Sequence, residues 1–90
     1  MTTEEAKSAL IGSWTLTTPS GKVFYRFDEH KKHTLAGQMP STVNYKLVSN
    51  GSSMHIVADD ETVELLGFDG MDMYWKKGAT RYVLNRGTLY

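Results

Sequence analysis

The sequence has no cysteine, only two prolines and no net charge, ten Lys and Arg balancing ten Asp and Glu over 90 residues. Without cysteine there is neither disulfide nor thiolate chemistry, so any core must hold by packing alone. The charge balance argues against a general nucleic-acid or membrane-surface binder, which is as a rule clearly basic. An aromatic RNP-like strand, a GXXG clamp and a basic stripe are all missing. No window approaches the ~20 apolar residues of a membrane-spanning helix. Residues 1–7 lack the charged-then-apolar order of a secretory signal, so a cytoplasmic location is expected. There is no Walker or Rossmann glycine pattern, and Gly67-Phe68-Asp69-Gly70 reads as a turn.

What is present is a short helical start followed by sustained alternation. Ninety residues make one domain, 1–90, with room for one core and little stability in reserve. Thr2-x-x-Glu5 is a capping box, and Ala6, Leu10 and Ile11 share a helical face, predicting a helix over about 3–10 that Gly12 ends. So short a helix is unstable alone and must dock, most simply over the open end of a barrel. From Ser13 on, the period of two predicts eight strands: 13–18, 23–28, 33–37, 42–49, 52–59, 62–67, 71–77 and 80–86.

One face of these strands is apolar: Trp14, Leu16, Val23, Tyr25, Phe27, Leu35, Val43, Tyr45, Leu47, Met54, Ile56, Ala58, Val63, Leu65, Met71, Met73, Trp75, Tyr82 and Leu84. The turns test that assignment, because a slip of one residue turns a strand inside out. Asn50-Gly51 as a two-residue turn sets Leu47 opposite Met54, and Gly78-Ala79 sets Trp75 opposite Tyr82. Pro19-Ser20-Gly21-Lys22 as a four-residue connection sets Trp14 opposite Phe27. At Asp69-Gly70 a two-residue turn would pair Val63 with Lys76, so a three-residue loop, residues 68–70, is expected instead. Residues 30–32 form a turn without glycine, and Pro40 falls in the longest connection.

Consecutive hairpins with one apolar face describe an all-β, antiparallel up-and-down meander. Its edges invite aggregation unless the last strand returns to the first. An open sheet with the helix across it also satisfies the pattern. Closure is expected, because no second long helix exists to cover eight strands.

Leu10-Ile11-Gly12-Ser13-Trp14, Phe24-Tyr25-Arg26-Phe27-Asp28, Asn44-Tyr45-Lys46-Leu47 and Arg81-Tyr82-Val83-Leu84-Asn85-Arg86 occur in that order. In this the chain resembles the lipocalin-like (calycin-type) small barrels, in particular short bacterial lipocalin-like domains with no assigned activity. It is shorter than the true lipocalins and lacks their disulfides. The resemblance implies that Arg86 lies across Trp14 and closes one mouth, as a cation–π and hydrogen-bond plug.

Two functions follow as expectations, neither enzymatic and neither needing a cofactor. In the first, Tyr25, Tyr45, Met54, Met73, Trp75 and Tyr82 line an interior that holds a small apolar ligand, since barrels of eight strands are either just filled or hold one such molecule. In the second, a protein–protein interaction module (an inhibitor, immunity-type or adaptor protein) uses an outer face. There Leu66, Tyr74 and Val83 point outward on neighbouring strands, Val57 lies beyond, Phe68 tops the patch and Lys76 with Arg81 flank it. A monomer and a homodimer both fit.

The remaining polar clusters read as surface. His30-Lys31-Lys32-His33 with Asp28, Glu29 and distant His55 is a solvated turn and not a metal site, since two lysines oppose a cation. Asp59-Asp60-Glu61 with Glu64 reads as a solubilising hairpin tip on which no partner groups converge, and no Ser or Thr stands in a His–Asp constellation.

Overall fold

The computed structural model describes residues 2–87. Helix α1 (Thr3–Leu10) is followed by β1 (Gly12–Thr18), β2 (Gly21–Phe27), β3 (Lys31–Ala36), β4 (Met39–Asn50), β5 (Ser53–Ala58), β6 (Thr62–Asp69), β7 (Asp72–Lys77) and β8 (Thr80–Arg86). Each strand pairs antiparallel with the next, and β8 returns to β1 through Trp14↔Arg86, Thr15↔Asn85 and Leu16↔Leu84. The closed up-and-down barrel is the architecture expected of a one-faced meander whose edges must be paired.

The helix starts as its residues dictate. The Thr2 hydroxyl accepts from the Glu5 amide (3.1 Å) while the Thr2 amide donates to the Glu5 carboxylate (2.9 Å). The helix ends at Leu10, as expected; Ile11 is the cap, and Gly12, just past it, already opens β1 at φ +129°. Ala6 and Leu10 are fully buried against the barrel, whereas Ile11 stays 42% exposed.

The hairpin registers show which turn signals decided and which did not. Gly78-Ala79 forms the two-residue turn expected, with Trp75↔Tyr82 and Met73↔Leu84. The β1–β2 turn is Pro19-Ser20 alone, so Trp14 faces Tyr25 and not Phe27. The β4–β5 turn is Gly51-Ser52, one residue later than Asn50-Gly51, with Gly51 at φ +65°. That moves the partners by two, to Leu47↔Ile56 and Tyr45↔Ala58, and leaves both faces intact.

The β6–β7 connection solves its parity conflict differently. The turn is Gly70-Met71, and a bulge between Leu65 and Gly67 absorbs one residue, giving Leu65↔Trp75 before it and Phe68↔Met73 after it. Phe68 therefore belongs to the inward set and its ring packs 6.0 Å from that of Trp14, so it does not simply top an outer patch. Met71, expected inside, sits in the turn and is 67% exposed.

The largest correction is β3. Asp28 replaces the glycine that the β2–β3 turn lacks: its Oδ1 accepts from the amides of His30 (3.1 Å) and Lys31 (2.6 Å), an Asx turn. The strand then begins at Lys31 and pairs Phe27↔Lys32 and Tyr25↔Thr34. Its faces are exchanged relative to expectation: Lys32 and Thr34 point inward, while Leu35 joins Phe24 and Pro40 in an outward row. Pro40 lies within β4 and not in the connection expected for it.

Candidate functional site

At the helix end the barrel is sealed by three groups. Trp14 is 1% exposed and its indole N–H donates to the Leu10 carbonyl (2.8 Å), tying β1 to the helix above it. The Arg86 guanidinium lies 3.9 Å from the Trp14 ring centroid, where a cation is attracted by the ring face. Its two terminal nitrogens donate to Ile11 O (2.9 Å) and Ala9 O (2.5 Å), satisfying carbonyls at the helix end that have no partner within the helix. The plug implied by the resemblance is thus formed by the residues expected. A side chain at Gly12 would collide with the guanidinium and would also have to adopt φ +129°. Gly12→Ala is therefore expected to cost about 1–3 kcal/mol, read as a lower urea midpoint at unchanged denaturant slope.

The lumen is occupied by rings. Tyr25 meets Trp75 edge-on at 5.2 Å, Phe27 meets Tyr45 edge-on at 5.2 Å, and Phe27 lies 6.4 Å from Trp75. The six residues expected to line a ligand site are all brought to this interior. Tyr25, Tyr45, Met54, Met73 and Trp75 are buried in the common core, and Tyr82 packs against it. The Tyr45 hydroxyl donates to the Asp28 carbonyl (2.5 Å), and burial, with Asp28 and Glu29 nearby, pushes its pKa up to about 12. Among the described residues no buried side-chain nitrogen or oxygen lacks a hydrogen-bond partner.

Toward the other mouth lies a network that the sequence reading missed. Lys32, 3% exposed, extends from β3 to the β5–β6 turn, where its ammonium meets Glu61 (2.9 Å) and Asp60 (3.2 Å). Lys77 holds the other Glu61 oxygen at 3.0 Å, and the Lys32 ammonium stands 5.5 Å from the Tyr25 ring centroid. The acidic turn is thus not a mere solubilising tip: two lysines converge on it. Burial alone would raise the Glu61 pKa, but hydrogen bonds from Lys32 and Lys77 outweigh it and hold the carboxyl below its ordinary value. Tyr25 is pushed upward by burial and then by the charges of Glu61 and Asp60. The exchanged faces of β3 hide this network from the sequence, in which Lys32 falls within a solvated turn.

The outer wall of β6–β8 carries three of the apolar side chains named from sequence, Leu66, Tyr74 and Val83. Leu66 (40% exposed) is the bulge residue, Val83 is 46% exposed, and Tyr74 is paired with Val83 on one side and Gly67 on the other. Since Gly67 has no side chain, a groove of about 280 Å³ opens beside Tyr74, lined by Leu66, Gly67, Phe68, Tyr74 and Arg81. Val57 is not part of it; it lines a separate groove of about 250 Å³ with Asn44, Tyr45, Lys46 and Asp59. A third, of about 260 Å³, lies behind the bulge among Ser49, Ser52, Ser53, Met54 and Leu65.

On the opposite wall, the turn and strand start around residues 28–33 are organised around one histidine. His33 Nε2 lies 3.1 Å from Asp28 Oδ2 and His33 Nδ1 lies 2.9 Å from Thr42 Oγ1. The bond to His33, with those from the Lys31 and His30 amides, holds the Asp28 carboxyl at a pKa of about 2. His30 reaches only Glu29, at 4.0 Å, and His55 faces Glu64 across β5 and β6. A His–Asp–Thr constellation that sequence reasoning did not find is therefore present. The signal for it was the register His33↔Thr42, which needs the β3–β4 turn at Gly37-Gln38.

Taken together, the geometry defines a small closed eight-stranded antiparallel barrel of calycin-like form, plugged at one end and bridged by ion pairs toward the other. No family model, no curated protein and no solved structure matches this chain. Among the described residues no helix is long and apolar enough to cross a membrane.

Proposed function

We propose that this chain is a non-enzymatic protein-binding module on a lipocalin-like barrel, and that its contact surface is the outer wall around the β6 bulge. The observation that carries the reading is the groove beside Tyr74, where Leu66 and Val83 are left exposed on the two strands that flank β7 while Arg81 and Lys76 supply a basic edge. An apolar depression with a charged rim favours association. The lumen supports the same reading by contrast, since it is taken up by the chain's own rings. The chemistry of the edge commits the partner: a protein segment presenting one apolar side chain next to a carboxylate.

A displayed peptide library panned on the immobilised protein tests this. Enriched peptides are expected to share an apolar residue beside Asp or Glu. Their binding should fall at least about 30-fold with Leu66→Glu or Tyr74→Glu, the loss typical of a central contact residue. Phe24→Glu, on another wall, should leave it unchanged. Peptides that bind Leu66→Glu and Tyr74→Glu as well as the parent protein would rule this surface out.

A further inference from the structure

The Asp28–His33–Thr42 constellation lies on the β3–β4 wall, across the barrel from the proposed contact surface, and has its own chemistry. Its hydrogen-bond directions are fixed by the groups themselves. An ionised Asp28 can only accept, so the His33 proton resides on Nε2, 3.1 Å from Asp28 Oδ2. That leaves a lone pair on Nδ1 to accept from the Thr42 hydroxyl at 2.9 Å. Asp28 is immobilised in turn, its other oxygen taking the amides of His30 and Lys31. Nucleophile, base and orienting carboxylate stand in the order that activates a hydroxyl. The base is sheltered, with 16% of its side chain accessible, while Thr42 is exposed and can be reached from solvent.

We propose that Thr42 is a nucleophilic acyl acceptor for activated carboxylic esters, with His33 as its base and Asp28 as the positioning residue. Thr42 Oγ1 bonds to the ester carbonyl carbon as His33 Nδ1 takes the hydroxyl proton. The tetrahedral intermediate then collapses, the bond to the leaving oxygen breaks, and the imidazolium returns the proton to that oxygen. The products are a Thr42 ester, the free alcohol or phenol, and neutral His33. Developing negative charge falls on a wall bearing Arg26, opposite His33 in the β2–β3 register, and Lys31, whose ammonium is held by Asn44. The reaction is stoichiometric, one acyl group per chain, and does not depend on the binding role of the other wall.

The test is incubation of the full chain with p-nitrophenyl acetate near neutral pH, following nitrophenolate release and mapping the acetyl group by mass spectrometry. A burst of one equivalent is expected, with the acetyl on Thr42. Thr42→Ser should keep the burst and Thr42→Val should lose it. His33→Gln should slow acylation at Thr42 by at least about 100-fold, the usual contribution of a positioned general base. Asp28→Asn should slow it and move the pH–rate profile to lower pH, which a merely structural role would not do. Acetyl groups confined to amines, an unchanged rate in His33→Gln, or an equal burst from Thr42→Val with the acetyl on His33 would each overturn the assignment.

Discussion

Trp14→Ala is expected to lower the unfolding free energy by about 3–5 kcal/mol, the range for deleting a large buried aromatic. For a domain whose total is on the order of 5–15 kcal/mol, that leaves little. The loss has three parts that arrive together. The indole fills the helix end of the barrel at 1% exposure and touches Phe68. Its N–H ties the Leu10 carbonyl, and its face seats the Arg86 guanidinium. Without it Arg86 keeps its two carbonyl bonds but loses the surface that orients it. Urea unfolding monitored by far-ultraviolet circular dichroism measures the effect; an unchanged midpoint would remove Trp14 from its central place.

The second large effect concerns the bridged mouth, and it is asymmetric. Asp60→Asn with Glu61→Gln leaves the Lys32 ammonium buried at 3% exposure without a countercharge. Stranding one member of a buried pair costs about 3–5 kcal/mol. Here Asp60 and Glu61 keep 38% and 22% of their side chains exposed, so water relieves part of the cost and about 2–4 kcal/mol is expected. Lys32→Met removes the buried charge itself and leaves Asp60 and Glu61 to water and to Lys77, so it should cost clearly less than the double variant. The pH dependence follows from Glu61. Its pKa is held below the ordinary 4.5 in the folded chain, so its contribution is fully present above that value and is lost as pH falls through the folded one. Lys32→Met should accordingly show a shallower acid limb in thermal melts between pH 6 and 3. A variant steeper than the parent there would contradict the pairing.

Much of the barrel is legible in the residues, and the limits have physical causes. Gly-x-Trp, the capping box and Gly78-Ala79 each fix a local geometry that nothing else on the chain competes with, and the structure follows them. Asn50-Gly51 and Pro19-Ser20-Gly21-Lys22 were displaced by two-residue steps in register that keep every side chain on its face, so the pattern of apolar residues could not tell the alternatives apart. The bulge at Leu66 has no such excuse in pattern: it resolves the clash of parity between Val63 and Lys76, which a longer loop would also have resolved, and backbone pairing chose the bulge. In β3 an aspartate did the work expected of a glycine, and the strand began two residues early. That exchange of faces concealed both polar arrangements, the inward Lys32 and the outward His33. A lysine in a β-strand reads as solvent-facing unless its carboxylate partners, 28 and 29 residues away, are known to lie across the mouth.

The rings of Tyr25, Phe27, Tyr45 and Trp75 pack together inside the barrel, and the proposed recognition at the outer wall requires that they leave no room there for a ligand. A crystal structure under xenon pressure tests that directly, because xenon enters empty apolar cavities of even modest size. No xenon among Tyr25, Phe27, Met73 and Trp75 is the predicted result. An ordered xenon atom within that cluster would contradict it and return the interior to the role of a ligand site.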